Sequence, residues 1–292
     1  MKTATSILAV ILFLMGSCSG NGDQADAYGN FEAVEVIVSA EVQGRIVSFK
    51  AVEGTPLVMG NAAVVIDSTL LSLKKDQLES GRSSLGARIR TLDAQVEASR
   101  VQLQNLEREQ ERITKLAEGG AATSKQQDDI AGQIDLLKAQ ITATESQKAS
   151  VHAERKTLDI QVRQVEEQIR ECTVRNPMDG ILLTKYKEEG EIAVPGQPLY
   201  KMADLDELIL RAYISGKQLS SVRTGATVQV RFDSPEGIRQ TEGIVRWISP
   251  QAEFTPKIIQ TREERVNLVY AIKVAVPNDG SLKIGMPGEV VF

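Results

Sequence analysis

The sequence predicts an elongated α+β chain: an antiparallel coiled-coil hairpin inserted into a split β-sandwich and followed by a small β-barrel. Three observations predict it. A glycine-punctuated β pattern occurs twice, 136 residues apart; the stretch between its two copies carries a heptad repeat; alternating β runs with turn signals fill the C-terminal third.

Composition sets the outer limits. Of 292 residues, 42% are hydrophobic, 25% charged and only 4% aromatic, and the formal net charge is -5. Such a chain is neither a disordered tail nor a polytopic membrane protein. The acidic balance gives little attraction for phosphate backbones, so no nucleic-acid partner is expected. One histidine cannot build a His-rich metal site, and the two cysteines, Cys18 and Cys172, form no CxxC pair. No catalytic residues, cofactor or metal are expected.

The first element is a leader. Met1-Lys2, an apolar run from Ile7 to Met15 and then Gly16-Ser17-Cys18 read as a secretory signal over residues 1–17. The run is shorter than the roughly 20 apolar residues that span a bilayer. Cleavage near Gly16 or Ser17 with an incidental Cys18 is one reading. The preferred one is a lipoprotein signal, because Gly16-Ser17-Cys18 resembles a lipobox, with Met15 where Leu is more usual. Cys18 would then carry lipid, and polar residues 18–30 would form a flexible tether. That leaves Cys172 as the remaining thiol, so no intramolecular disulfide is expected.

The sandwich halves are assigned to residues 31–68 and 174–204, with the first strand of the former free to join the barrel. Gly44, Gly54 and Gly60 are matched in spacing by Gly180, Gly190 and Gly196, and Val64-Val-Ile-Asp67 falls opposite Tyr200-Lys-Met-Ala203. Glycines at fixed places in β-rich sequence imply matching turns with positive φ. The halves are expected to pair face to face.

Residues 69–173 hold no proline, and their apolar positions alternate steps of four and three. Leu85, Ile89, Leu92 and Val96 show this in the first arm; Ile130, Ile134, Leu137 and Ile141 show it in the second. A mean period of 3.5 residues defines a left-handed coiled coil. Pairing Ile113 with Ile130 places Leu106 on Leu137, Leu92 on Val151, Leu85 on Leu158 and Leu71 on Cys172. Ser99 then meets Thr144. Each arm should be roughly 70 Å long at 1.5 Å per residue. Lys148 and Arg155 interrupt the second seam, where their stems can pack while the charges snorkel outward. Cys172, in a seam position, reads as a small apolar residue.

At the tip, Glu118-Gly-Gly120 supplies a left-handed cap. Ser124 with Gln127 resembles a capping box, and Asp128 and Asp129 suit a helix N-terminus. Arg112 and Leu116 lie one turn apart beside the seam, where capping does not account for them. They are either a candidate contact or a solvated Arg with a chance Leu.

Residues 205–292 read as the barrel. Leu208–Ile214, Val228–Phe232, Gly243–Ile248 and Leu268–Val276 are the β runs, with turns at Gly216, Gly225, Ser234-Pro-Glu-Gly237 and Asn278-Asp-Gly280. Phe254-Thr-Pro-Lys257 and Thr261–Arg265 form a longer connection.

Taken together, the split halves, the inserted hairpin and the barrel resemble the HlyD-type periplasmic adaptor, or membrane fusion, proteins of tripartite efflux and secretion systems. The resemblance covers nearly all of the chain beyond the leader and implies that the sandwich is lipoyl-like. In many adaptors the tip carries Arg, Leu and Ser and docks on a TolC-like outer-membrane channel. The matching positions are Arg112, Leu116 and Thr123, with Ser124 adjacent, so the hydroxyl belongs to either Thr123 or Ser124. The resemblance further implies an inner-membrane exporter as partner, a hexameric ring of copies and a periplasmic location on a Gram-negative membrane, through the lipid on Cys18. The barrel looks most like the subgroup serving ABC-type exporters, and the pump-proximal domain expected of proton-driven adaptors does not follow it. A proton-driven adaptor and a lipid-tethered structural spacer are the alternatives. A swinging-arm enzyme subunit is not expected, because the hairpin occupies the place of the modified lysine.

Overall fold

A computed structural model describes residues 25–254 and 268–292. The leader, Cys18 and most of the connection after Phe254 lie outside the described residues. In chain order, β1 (Ala27–Glu32) belongs to the barrel. The sandwich begins with β2 (Glu35–Ser39), β3 (Gly44–Ser48), β4 (Pro56–Leu57) and β5 (Ala62–Ile66). Helices α1 (Thr69–Glu118) and α2 (Ser124–Glu171) interrupt it. It resumes with β6 (Thr173–Arg175), β7 (Gly180–Lys185), β8 (Ile192–Ala193) and β9 (Pro198–Ala203). The barrel is completed by β10 (Glu207–Ser215), β11 (Thr227–Ser234), β12 (Gly237–Ile248), β13 (Glu253–Phe254), β14 (Leu268–Pro277) and β15 (Pro287–Val291). The expected architecture, a hairpin within a split sandwich followed by a barrel, is the one observed.

The two halves interleave to build the sandwich. They do not form one sheet each; the two sheets run β2-β9-β7-β4 and β6-β5-β3-β8, so each takes its inner pair from one half and its edges from the other. The 136-residue repeat maps β3 on β7, β4 on β8 and β5 on β9, a pseudo-two-fold that extends to individual hydrogen bonds. Gly54 donates to the Leu182 carbonyl (2.8 Å) and Gly190 to that of Ile46 (2.9 Å); Ala40 donates to Gln197 and Asn176 to Asn61 in the same way. Exchanging short edge strands satisfies backbone groups that either half alone would leave open.

Four of the six repeat glycines take positive φ, at Gly54, Gly60, Gly190 and Gly196. Gly44 and Gly180 do not, which corrects the turn reading for those two. They permit close approach instead: a Cβ on Gly180 would stand 2.5 Å from the Ala203 carbonyl oxygen, and one on Gly44 2.6 Å from Ile66 Cγ2. Between the sheets lie Ile46, Phe49, Val64, Ile66, Leu182 and Met202. The buried Tyr200 hydroxyl donates to Asn176 Oδ1 (2.8 Å), and the Asn176 amide donates to the Val58 carbonyl (3.0 Å). Burial pushes Tyr200 up to about 12.

The barrel is antiparallel and closed, in the order β10-β1-β15-β11-β12-β14, with β14 returning to β10. Strict alternation along β10 points Leu208, Leu210, Ala212 and Ile214 inward. Phe31 of β1 meets Phe232 edge-to-face, with centroids 6.3 Å apart. Glu32 pairs with Ile209 at the end that leads into the sandwich, whereas Tyr28 pairs with Tyr213 toward the opposite end, where β1 enters.

The hairpin is antiparallel with the expected seam. Ile89, Leu92 and Val96 are buried on α1, and Ile130, Ile134, Leu137, Val151, Val162 and Val165 on α2. Leu85, Ile89, Leu92 and Val151 form one cluster, in keeping with the pairing of Leu92 and Val151. Five ion pairs cross between the arms: Lys75–Glu166, Arg82–Asp159, Asp93–Lys148, Arg100–Glu145 and Glu107–Lys138. Each lies within two residues of the expected register. They are partly exposed and contribute little to stability individually, but they fix the alignment. Half-buried Lys148 reaches across to Asp93, whereas Arg155 stays exposed. Cys172 is not part of the coiled-coil seam: it follows the last residue of α2 and packs with Leu71 into the sandwich core. Burial first, then the charges of Asp67 and Glu171, raise its thiol pKa, and it donates to the Gln168 carbonyl. It is therefore held in its unreactive form.

Candidate functional site

The tip is built by two interlocking caps. Gly119 is the C-cap of α1 and Gly120 adopts φ 76°. Gly120 donates to the Ala117 carbonyl (2.9 Å) and Ala121 to that of Leu116 (2.8 Å), the paired bonds of a Schellman motif. Two residues later α2 opens on Thr123, in extended backbone at φ -90° and ψ 152°. The capping box therefore belongs to Thr123 and Gln126, one residue before the expected Ser124 and Gln127. The Gln126 amide N–H donates to Thr123 Oγ1 (3.3 Å), and Gln126 Oε1 accepts from the Thr123 amide (2.8 Å). Ser124 is already helical, so its hydroxyl is not aimed at the open amides. Asp128 and Asp129 fall beyond the first turn, which carries no acid.

These caps separate the two candidate hydroxyls. Thr123 Oγ1 also donates to Gln126 Oε1 (3.0 Å) and is committed to the helix. Ser124 is exposed, and among the described residues its hydroxyl has no hydrogen bond within the chain. Thr123→Ala should cost about 1 kcal/mol, the ordinary value of an N-cap, and fray the first turn of α2, whereas Ser124→Ala should be neutral to stability. Amide hydrogen exchange at Lys125–Gln127 reads this difference; equal effects would contradict the cap assignment.

Arg112 and Leu116 lie on the last turns of α1. The Arg112 guanidinium is exposed and held by Glu109 Oε1 at 2.6 Å. One turn on, Leu116 is 46% exposed, while its neighbours Ile113 and Ala117 turn toward the seam. Lys115 bonds Glu111 (2.7 Å), and that hydrogen bond and charge hold the Glu111 carboxyl below its usual range. Arg112, Leu116, Thr123 and Ser124 thus share one end of the rod as an apolar spot with a restrained cation and one open hydroxyl. Glu109 and Gln126 were missed by the sequence reading. Their signals were the three-residue spacing of Glu109 to Arg112 and the Thr-x-x-Gln pattern of residues 123–126.

The rest of the described surface offers less chemistry. No group of three His, Cys, Asp or Glu side chains among the described residues could hold a metal ion. No helix there is long and apolar enough to cross a membrane. A cleft of about 540 Å³ lies between edge strands β2 and β6 at the hairpin root, lined by Ile37, Val38, Val174 and Arg170 among others.

No protein-family model matches the chain. A UPF0194 membrane protein of Yersinia enterocolitica, YE2891, is 25% identical over 100% of this chain and 99% of its own length. The UPF0194 membrane protein in the asrC 5' region of Acidithiobacillus ferridurans is 38% identical over 115 residues, 39% of this chain and about a third (34%) of that relative. Among solved structures, MacA from Actinobacillus actinomycetemcomitans superposes with a TM-score of 0.69 at 20% identity, covering 92% of this chain and 79% of MacA. The membrane fusion protein Spr0693 from Streptococcus pneumoniae R6 gives 0.55 at 14% identity, over 90% and 96%. At these identities the structures establish a shared fold.

Proposed function

We propose that the chain is a periplasmic adaptor that links an inner-membrane exporter, ABC-type by the character of its barrel, to a TolC-like outer-membrane channel. It contributes no catalysis of its own. Cys18 carries the lipid that holds it to a membrane, copies associate side by side into a ring, and Arg112, Leu116 and the Ser124 hydroxyl meet the channel. The observation that carries this reading is the tip: a large apolar side chain left 46% exposed beside a restrained guanidinium, at the far end of a capped two-helix rod. A rod that served only as a spacer would have no use for it. The barrel geometry supports the same polarity. β1 enters at the end away from the sandwich, so an anchor on Cys18 would hold that end of the barrel, and not the sandwich end, close to a membrane.

The test is purification through a C-terminal tag from crosslinked membranes, with partners identified by mass spectrometry. Recovery of an ABC permease and ATPase together with a TolC-like channel is the expected result. A proton-driven pump in their place would change the energy source and keep the architecture. Recovery of neither pump nor channel would overturn the adaptor reading in favour of a tethered spacer.

A further inference from the structure

The hairpin is two-faced along its length. The ion pairs between the arms draw on one flank of the seam, where Glu145, Asp159 and Glu166 of α2 recur at multiples of seven residues. The opposite flank of α2 is a ladder of amides at the same spacing: Gln126, Gln133, Gln140, Gln147, Gln161 and Gln168, with Glu154 as the one charged rung. All are exposed. A heptad step keeps them on one face because the supercoil follows the seam. The first arm contributes Arg88, Gln95, Gln102 and Glu109 to the same flank at the same spacing, and a shallow groove of about 190 Å³ there is lined by Gln102 and Leu106 of α1 and by Gln133, Leu136, Leu137 and Gln140 of α2. Leu136 there is 71% exposed.

We propose that this amide-rich flank, whose few charges are Arg88, Glu154 and the Arg112-paired Glu109, is the surface each hairpin turns toward the common axis when copies of the chain associate side by side. The proposal rests on the ring reading given above and assigns its inner face. Closed rotational symmetry brings identical residues from every copy toward one another around the axis. A charge on an inward flank would face its own repeats across a confined space of reduced dielectric, and the repulsion would grow with each added copy. Primary amides carry no such penalty, and each can both donate and accept, so a glutamine row is compatible with its own copies or with ordered water between them. The ion-paired flank loses nothing by facing outward, where its charges stay solvated. The enclosed passage would then be walled mainly by amides, with few charges of either sign.

The test is cysteine labelling of the full-length, membrane-bound chain at two exposed positions two residues apart on opposite flanks, Gln140→Cys and Thr142→Cys, with the unsubstituted chain as blank. In the assembled state a bulky polyethylene glycol maleimide should modify Thr142→Cys and fail to modify Gln140→Cys, while N-ethylmaleimide modifies both. Dissociation in detergent should restore the bulky label at Gln140→Cys. Protection of Thr142→Cys instead, or equal modification of both in crosslinked oligomers, overturns the face assignment and leaves the ring standing. Equal modification with no crosslinked oligomer overturns the ring, and the inference with it. A second measurement guards against local damage. Gln140→Glu with Gln147→Glu should cause loss of crosslinked oligomers, whereas Thr142→Glu with Ala149→Glu should not; equal loss in both pairs overturns the proposal.

Discussion

Replacing Leu116 by Asp should abolish recovery of the outer-membrane channel, and export with it, while the protein still folds and remains on the membrane. The side chain is already 46% exposed, so its loss removes little packing, and surface changes of this kind usually stay within about 0.5 kcal/mol. The Leu116 carbonyl that accepts from Ala121 belongs to the backbone and survives the substitution. A carboxylate trapped in a contact is a different matter. Loss of a central apolar anchor costs about 2 kcal/mol or more, a drop in affinity of roughly thirtyfold, before the desolvation of the new charge is added. One confounding effect can be separated, because Asp is disfavoured at a helix C-terminus whereas Lys is favoured there. Leu116→Lys should therefore lose the channel equally. If only the Asp variant fails, a loosened tip explains the loss and Leu116 is not a contact.

Gly180→Ala should be among the most destabilising single substitutions in the sandwich. The added methyl would stand 2.5 Å from the Ala203 carbonyl oxygen and 2.9 Å from its carbon, both backbone atoms of the paired strand β9. No side chain can give way, so β7 and β9 must separate, at a cost near the upper end of the usual 1–3 kcal/mol for overpacking, or about 3 kcal/mol. Gly196 provides the comparison. Its Cβ would enter open space, but its φ is +81°, so Gly196→Ala should cost only about 1 kcal/mol of backbone strain. Urea denaturation of the two variants distinguishes the mechanisms. Equal costs would mean that close strand approach is not what keeps a glycine at position 180.

The parts of this molecule that sequence reveals are those whose cause is local. A seam such as Leu85-Ile89-Leu92-Val96 is a pattern of spacing, and spacing alone sets which side of a helix is apolar, so both arms and their register could be read directly. The barrel runs were readable for the same reason, since Leu208, Leu210 and Ile214 alternate inward. Partner choice is not local. Nothing in residues 35–66 says that β2 and β4 will pair with strands from beyond the hairpin. The same limit misassigned Gly44 and Gly180, whose constraint is a neighbour 22 or 23 residues away and not their own backbone. At the tip, two hydroxyl residues in a row, each with a glutamine three residues later, offer two equivalent capping boxes. Only the extended backbone at Thr123 decides between them.

The exchange of edge strands carries a consequence for the order of folding. Residues 35–66 cannot complete either sheet until residues 173–203 arrive, and between them lie two helices of 50 and 48 residues. Closing so long a loop at random would be slow. The coiled coil shortens the search, because contacts near the turn are close in sequence and zippering from Ile113 and Ile130 toward Leu71 and Cys172 delivers β5 and β6 to each other already aligned. The hairpin thus acts as the chaperone of its own base. A lesion at the turn should then reveal itself first as delayed maturation of the sandwich, roughly 70 Å away by the helical rise.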